Sequence, residues 1–115
     1  MGTVAGLGRG HNGTMLIDRI RTDLNTATKA RDSDRQRTLR SIIAAVQEAR
    51  VSGDEARELD YDGVMAVLKA QVKRRIDAAE AFAAGNAHDR EAAERAEQAI
   101  IEEYLPAGLS DDDLV

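Results

Sequence analysis

The sequence has no cysteine and no tryptophan. Without thiols, disulfide frameworks, thiolate nucleophiles and cysteine-held metals are excluded, and the composition fits a reducing compartment. Histidine is nearly as scarce. His11 and His88 stand far apart, neither has a His or Cys partner at helical spacing, and no metal site is expected. Aromatics are limited to Tyr61, Phe82 and Tyr104. No apolar run approaches the roughly 18 residues that cross a bilayer, and the start lacks the basic-then-apolar pattern of a secretory signal. These absences give the expectation of a cytoplasmic protein with no membrane contact.

Catalytic patterns are missing as well. Ser33, Ser41, Ser52 and Ser110 have no G-x-S-x-G setting and no nearby histidine. The spacing Gly6-x-Gly8-x-Gly10 suggests a nucleotide loop, but no strand precedes it and no GK[ST] follows. Glu94 and Glu97 lie one helical turn apart, yet nothing marks a pocket that would turn them into an acid/base pair. No catalytic residue and no cofactor are assigned.

What the chain does have is alanine, arginine, glutamate and leucine in abundance, all good helix formers. Residues 1–13 are glycine-rich and without period, which predicts a disordered tail. Four helices are predicted after it. The first spans about Met15 to Arg31, with Ile17, Ile20, Leu24 and Ala27 on one face and Thr14 as N-cap. Ser33 and Gln36 form a capping-box pattern opening the second, whose face is Leu39, Ile42, Ile43, Val46 and Ala49 and which stops near Ser52-Gly53. After a polar link, Asp60 caps a third helix from Tyr61 to Ala84, with Leu59 placed to staple onto Val64. Its stripe is Met65, Leu68, Val72, Ile76, Ala79 and Phe82, and Gly85-Asn86 ends it. The fourth runs from about Asp89 to Tyr104 with Ala93, Ala96, Ile100 and Tyr104 as its face, before Pro106. The fold class is all-α: amphipathic helical hairpins around one core over residues 14–109. Ser110-Asp111-Asp112-Asp113 is a further helix start, so residues 110–115 are read as the beginning of a second, truncated helical domain.

The formal net charge is −5, which argues against indiscriminate polyanion binding. The charge is uneven, however. Residues 14–52 carry eight Lys/Arg against five Asp/Glu, whereas residues 85–115 carry two against nine. A basic front half permits an oriented contact with a polyanion.

Four blocks of residues resemble the GatB/YqeY family in order and spacing. They are Lys29-Ala30-Arg31-Asp32, the run Arg37-Thr38-Leu39-Arg40-Ser41-Ile42-Ile43-Ala44-Ala45, the run from Val72 to Phe82, and Glu94-x-x-Glu97 followed by Tyr104-Leu105-Pro106. Together they cover about residues 15–115. The family is similar to the tail region of GatB, a component of the glutamine-dependent Asp/Glu-tRNA amidotransferase. A similar domain is attached to some bacterial glutaminyl-tRNA synthetases. The resemblance therefore implies a bacterial, tRNA-associated accessory domain whose partners are tRNA and a tRNA-charging or amidotransferase enzyme. It also carries the family label of carbon–nitrogen ligase with glutamine as amido donor, although no active-site candidate accompanies that label here. The alternative is a helical protein–protein interaction module with no nucleic-acid role.

A tRNA role requires cations that face phosphates, because backbone contacts dominate affinity. The candidates are Arg35, Arg37 and Arg40 on the second helix and Lys69, Lys73 and Arg74 on the third. Arg75 is set apart from them. At about 100° per residue it falls only about 45° from the centre of the third helix's stripe, and Glu97 falls about 55° from the centre of the fourth's. An Arg75–Glu97 structural pair is expected, with Glu94 as the second choice.

Overall fold

The computed structural model describes residues 13–52 and 59–106. Four helices make up nearly all of this: α1 (Thr14–Lys29), α2 (Ser33–Val51), α3 (Tyr61–Ala84) and α4 (His88–Glu102). Among the described residues there is no strand, and the fold class is all-α. The glycine-rich tail up to residue 12, the polar link 53–58 and the helix start expected at 110–115 lie outside the described residues.

The chain divides into two compact units, Met1–Val67 and Leu68–Val115, with α3 running through the boundary. In the first unit α1 and α2 pack together as a hairpin. Leu16, Ile20 and Ala27 are the buried side of α1, and Thr38, Leu39, Ile42 and Val46 that of α2. Val64 and Met65 are buried at the start of α3. Thr38 is a polar residue at a fully buried position, made tolerable because its hydroxyl donates to the Asp34 carbonyl at 3.0 Å.

The turn between α1 and α2 closes by a Schellman motif. Arg31 takes the left-handed conformation at φ 59°, its N–H donates to the Thr28 carbonyl, and the Asp32 N–H donates to the Ala27 carbonyl at 2.9 Å. The next helix begins at once. The Asp32 carboxylate accepts from the Arg35 N–H at 3.2 Å, which makes Asp32 the N-cap and places Ser33 at the first helical position. The expected Ser33–Gln36 capping box is thus displaced by one residue, because the turn already holds Asp32 in the half-in position. At the start of α1 the cap is likewise Gly13 rather than Thr14, and Gly13 is buried. Asp60 does cap α3, its carboxylate accepting from the Gly63 N–H at 2.8 Å.

In the second unit α3 buries Leu68, Gln71, Val72, Ile76 and Ala79. A second Schellman motif ends it: Asn86 sits at φ 60°, and the Ala87 N–H donates to the Phe82 carbonyl at 2.8 Å. The left-handed residue is Asn86, not the neighbouring Gly85. Asn tolerates that region better than most side chains.

The fourth helix departs from its expected orientation. Ala93 and Ala96 are exposed, Glu94, Glu97 and Gln98 are half-buried, and Ile101 is fully buried beside Ile100 and Tyr104. The inward face is therefore about one residue further along the chain than the alanine stripe. Size explains the difference. Burying an isoleucine is worth about 1.5–3 kcal/mol and one methyl group about 0.8 kcal/mol, so Ile101 outweighs the two alanines in setting the rotation.

Candidate nucleic-acid interface

On α2, Arg37 and Arg40 are three residues apart and share a face, about 60° from each other, whereas Arg35 lies about 140° from Arg40. Arg35 Nε stands 3.6 Å from Asp32 Oδ2, and Arg37 Nη2 donates to Asp34 Oδ1 at 2.9 Å. Arg40 is exposed and has no ion pair among the described residues. On α3, Lys69 and Lys73 lie about 40° apart and Arg74 about 100° from Lys73. Lys73 Nζ donates to Asp77 Oδ1 at 3.1 Å. Lys69 is half-buried and Arg74 is exposed, and neither has an ion pair among the described residues.

The six candidates thus fall into two kinds. Arg35, Arg37 and Lys73 are held by acids on or next to their own helix. Arg40, Lys69 and Arg74 project without such a partner. The distinction is not a barrier, because exposed ion pairs are worth about 0–1 kcal/mol and a phosphate can displace the carboxylate.

Arg75 lies elsewhere. Its Nε donates to Glu97 Oε1 at 3.1 Å, with the two side chains only 11% and 19% exposed. Its Nη1 reaches back one helical turn to Gln71, donating to the backbone carbonyl at 3.3 Å and to the side-chain Oε1. Gln71 itself is buried. The guanidinium is therefore committed on two sides to α3 and α4, and Glu94 lines the shallow cleft beside it together with Arg74 and Ala78. Sequence reading missed Gln71, although its spacing of four residues from Arg75 is the signal that finds such partners on a helix.

A family model described as Yqey-like protein matches residues 17–115. The chain belongs to the YqeY-like family. Two fungal relatives agree in extent. It is 30% identical over 89 residues to the "Altered inheritance of mitochondria protein 41, mitochondrial" of Meyerozyma guilliermondii, covering 77% of this chain and 46% of that protein. It is 28% identical over 90 residues to the protein of the same name from Clavispora lusitaniae, covering 78% of this chain and 51% of that one. The chain spans about half the length of these curated relatives.

Both relatives are named as mitochondrial, which corrects the expectation of a purely cytoplasmic location. That expectation rested on the lack of cysteine and of long apolar runs, and both features suit the interior of an organelle equally well. Being fungal, these relatives lend no support to the bacterial setting, and neither name mentions tRNA or amidation.

Proposed function

We propose that this YqeY-like chain is a tRNA-associated accessory domain that binds and does not catalyse. Its link to glutamine-dependent tRNA amidation follows the family's similarity to the tail region of GatB in the amidotransferase. Any carbon–nitrogen ligase step then belongs to a partner enzyme. The observation that carries the reading is the presence of Arg40, Lys69 and Arg74 as cations without ion pairs among the described residues, on helices where Arg37 and Lys73 form exposed ion pairs.

The net charge of −5 does not oppose such a contact. At physiological salt the Debye length is about 8 Å, so a phosphate at Arg40 or Arg74 responds to its immediate neighbours rather than to the summed charge. The few aromatics favour recognition of shape and charge over base reading.

The test is tRNA binding by the whole chain across a salt series. Binding is expected to weaken steeply with salt. Replacing Lys73 and Arg74 together by alanine should flatten the slope of log K against log salt by about one to two units, one per lost phosphate contact. An unchanged slope, or no binding at low salt, refutes the proposal and leaves a protein-interaction role.

A further inference from the structure

The second unit holds a shallow cleft of about 220 Å³ between α3 and α4, lined by Arg74, Arg75, Ala78, Glu94 and Glu97. Helical spacing builds it. Arg74 and Ala78 stand one turn apart on α3, and Glu94 and Glu97 one turn apart on α4. Ala78 contributes only a methyl group, which leaves room among the longer side chains around it.

The four charged groups of this cleft are not in the same state. Arg75 and Glu97 neutralise each other at 3.1 Å, and Arg75 also holds Gln71. Arg74 and Glu94 line the same cleft, yet neither side chain has an ion pair or hydrogen bond among the described residues. Arg74 is exposed and Glu94 half-buried, and they do not pair with each other. The cleft therefore offers one open guanidinium fork and one open carboxylate, beside a pair whose charges cancel.

That arrangement selects a ligand by charge. A simple anion gains Arg74 but is repelled by Glu94, and a simple cation meets the reverse. A molecule carrying both charges a few ångströms apart satisfies both sides. The volume lies below the roughly 300 Å³ at which pockets for drug-sized ligands begin, so the occupant is small. A free α-amino acid has this chemistry. Its carboxylate matches the planar guanidinium, which can give it two parallel hydrogen bonds, and its ammonium brings three donors to a carboxylate. Arg75 is tied to both helices before anything binds, which reduces the ordering that binding would otherwise require.

We propose that this cleft binds a free α-amino acid, with its carboxylate on Arg74 and its ammonium on Glu94. The cleft opens to solvent, so the ligand's side chain projects outward and recognition is of the groups common to all amino acids. Arg74 also stands among the tRNA candidates, but the inference does not rest on that role.

The probe is L-alanine, titrated into the isotope-labelled full chain and followed by NMR. Saturable shifts are expected at the amides around Arg74, Ala78 and Glu94, with a Kd in the millimolar range, as befits a small ligand in an open cleft. N-acetylalanine lacks the ammonium and alaninamide lacks the carboxylate, and each should bind about fivefold or more weakly. R74A and E94Q should raise the Kd for L-alanine by about the same factor, while R40A in the first unit leaves it unchanged. The two analogues leave the protein unaltered, so loss of folding cannot mimic their effect. E94Q also separates this site from the basic surfaces, because removing a negative charge does not weaken the binding of a polyanion. Shifts that fail to saturate, analogues that bind as tightly as L-alanine, or an unchanged Kd in E94Q overturn the proposal.

Discussion

Arg75 and Glu97 join α3 to α4 through a hydrogen-bonded ion pair of 3.1 Å, and the same guanidinium clasps Gln71 on its own helix. Nearly buried charges of this kind are costly to strand, so each partner's removal should be felt. Arg75→Ala should destabilise by about 1–3 kcal/mol, and Glu97→Ala by less, because Arg75 then retains Gln71. In the double mutant the two losses should not add. Chemical denaturation of the three variants checks this, with the exposed Arg74→Ala as a reference expected within about 0.5 kcal/mol of the parent.

Asp32, not Ser33, caps α2. Asp32→Ala should therefore cost about 1 kcal/mol, while Ser33→Ala should leave thermal unfolding nearly unchanged. The reverse order would restore the capping box to Ser33.

Arg31 holds a left-handed conformation that glycine adopts without a steric penalty. Arg31→Gly should raise stability by about 0.5–1 kcal/mol, after allowance for glycine's greater freedom in the unfolded chain. Asn86→Gly should gain less. Paired denaturation curves distinguish the two.

Gly13 has no room for a side chain. Its backbone lies in the ordinary helical region at φ −67°, so Gly13→Ala meets no backbone strain, and the packing clash opposes the small gain from a less flexible unfolded chain. A loss of about 1–3 kcal/mol is expected, the range for overpacking a close contact. Equal stability would mean that the Leu59–Val64 wall yields freely.

The rotation of α4 gives a further check. Ile101→Ala should cost about 2–5 kcal/mol, as for other fully buried isoleucines. Ala93→Ser and Ala96→Ser, on the exposed side, should stay within about 0.5 kcal/mol of the parent. Thermal melts of the three settle which face is inward.

Much of this architecture was legible in the residues themselves. The bounds of α3, from Asp60 as cap to Gly85-Asn86, follow from local punctuation, and its stripe from Met65 to Ala79 is buried as the period requires. The face of α4 was not legible, since alanine is compatible with either side of a helix and only the large residues reveal the rotation. Of the six basic candidates, the chain order could not tell that Arg37 and Lys73 meet nearby acids while Arg40 and Arg74 do not. Side-chain rotamers decide that, and several are open to each residue. A small cavity at the open end of the α1–α2 hairpin left no signal at all, because its lining runs from Gly13 to Val64 and converges only when α1, α2 and the start of α3 pack together.

The sequence alone determined that the chain is helical, where its helices begin and end to within a residue or two, that thiol and disulfide chemistry is absent, and that the YqeY-like blocks stand in order. These are properties of short range: a helical hydrogen bond spans four residues and a cap spans three. Only the tertiary structure decided which face of α4 turns inward, that Gln71 completes the grip on Arg75, and that the open end of the α1–α2 hairpin holds a small cavity beside Gly13. Arg75 and Glu97 are 22 residues apart, and their meeting depends on the packing of two whole helices rather than on any pattern within one.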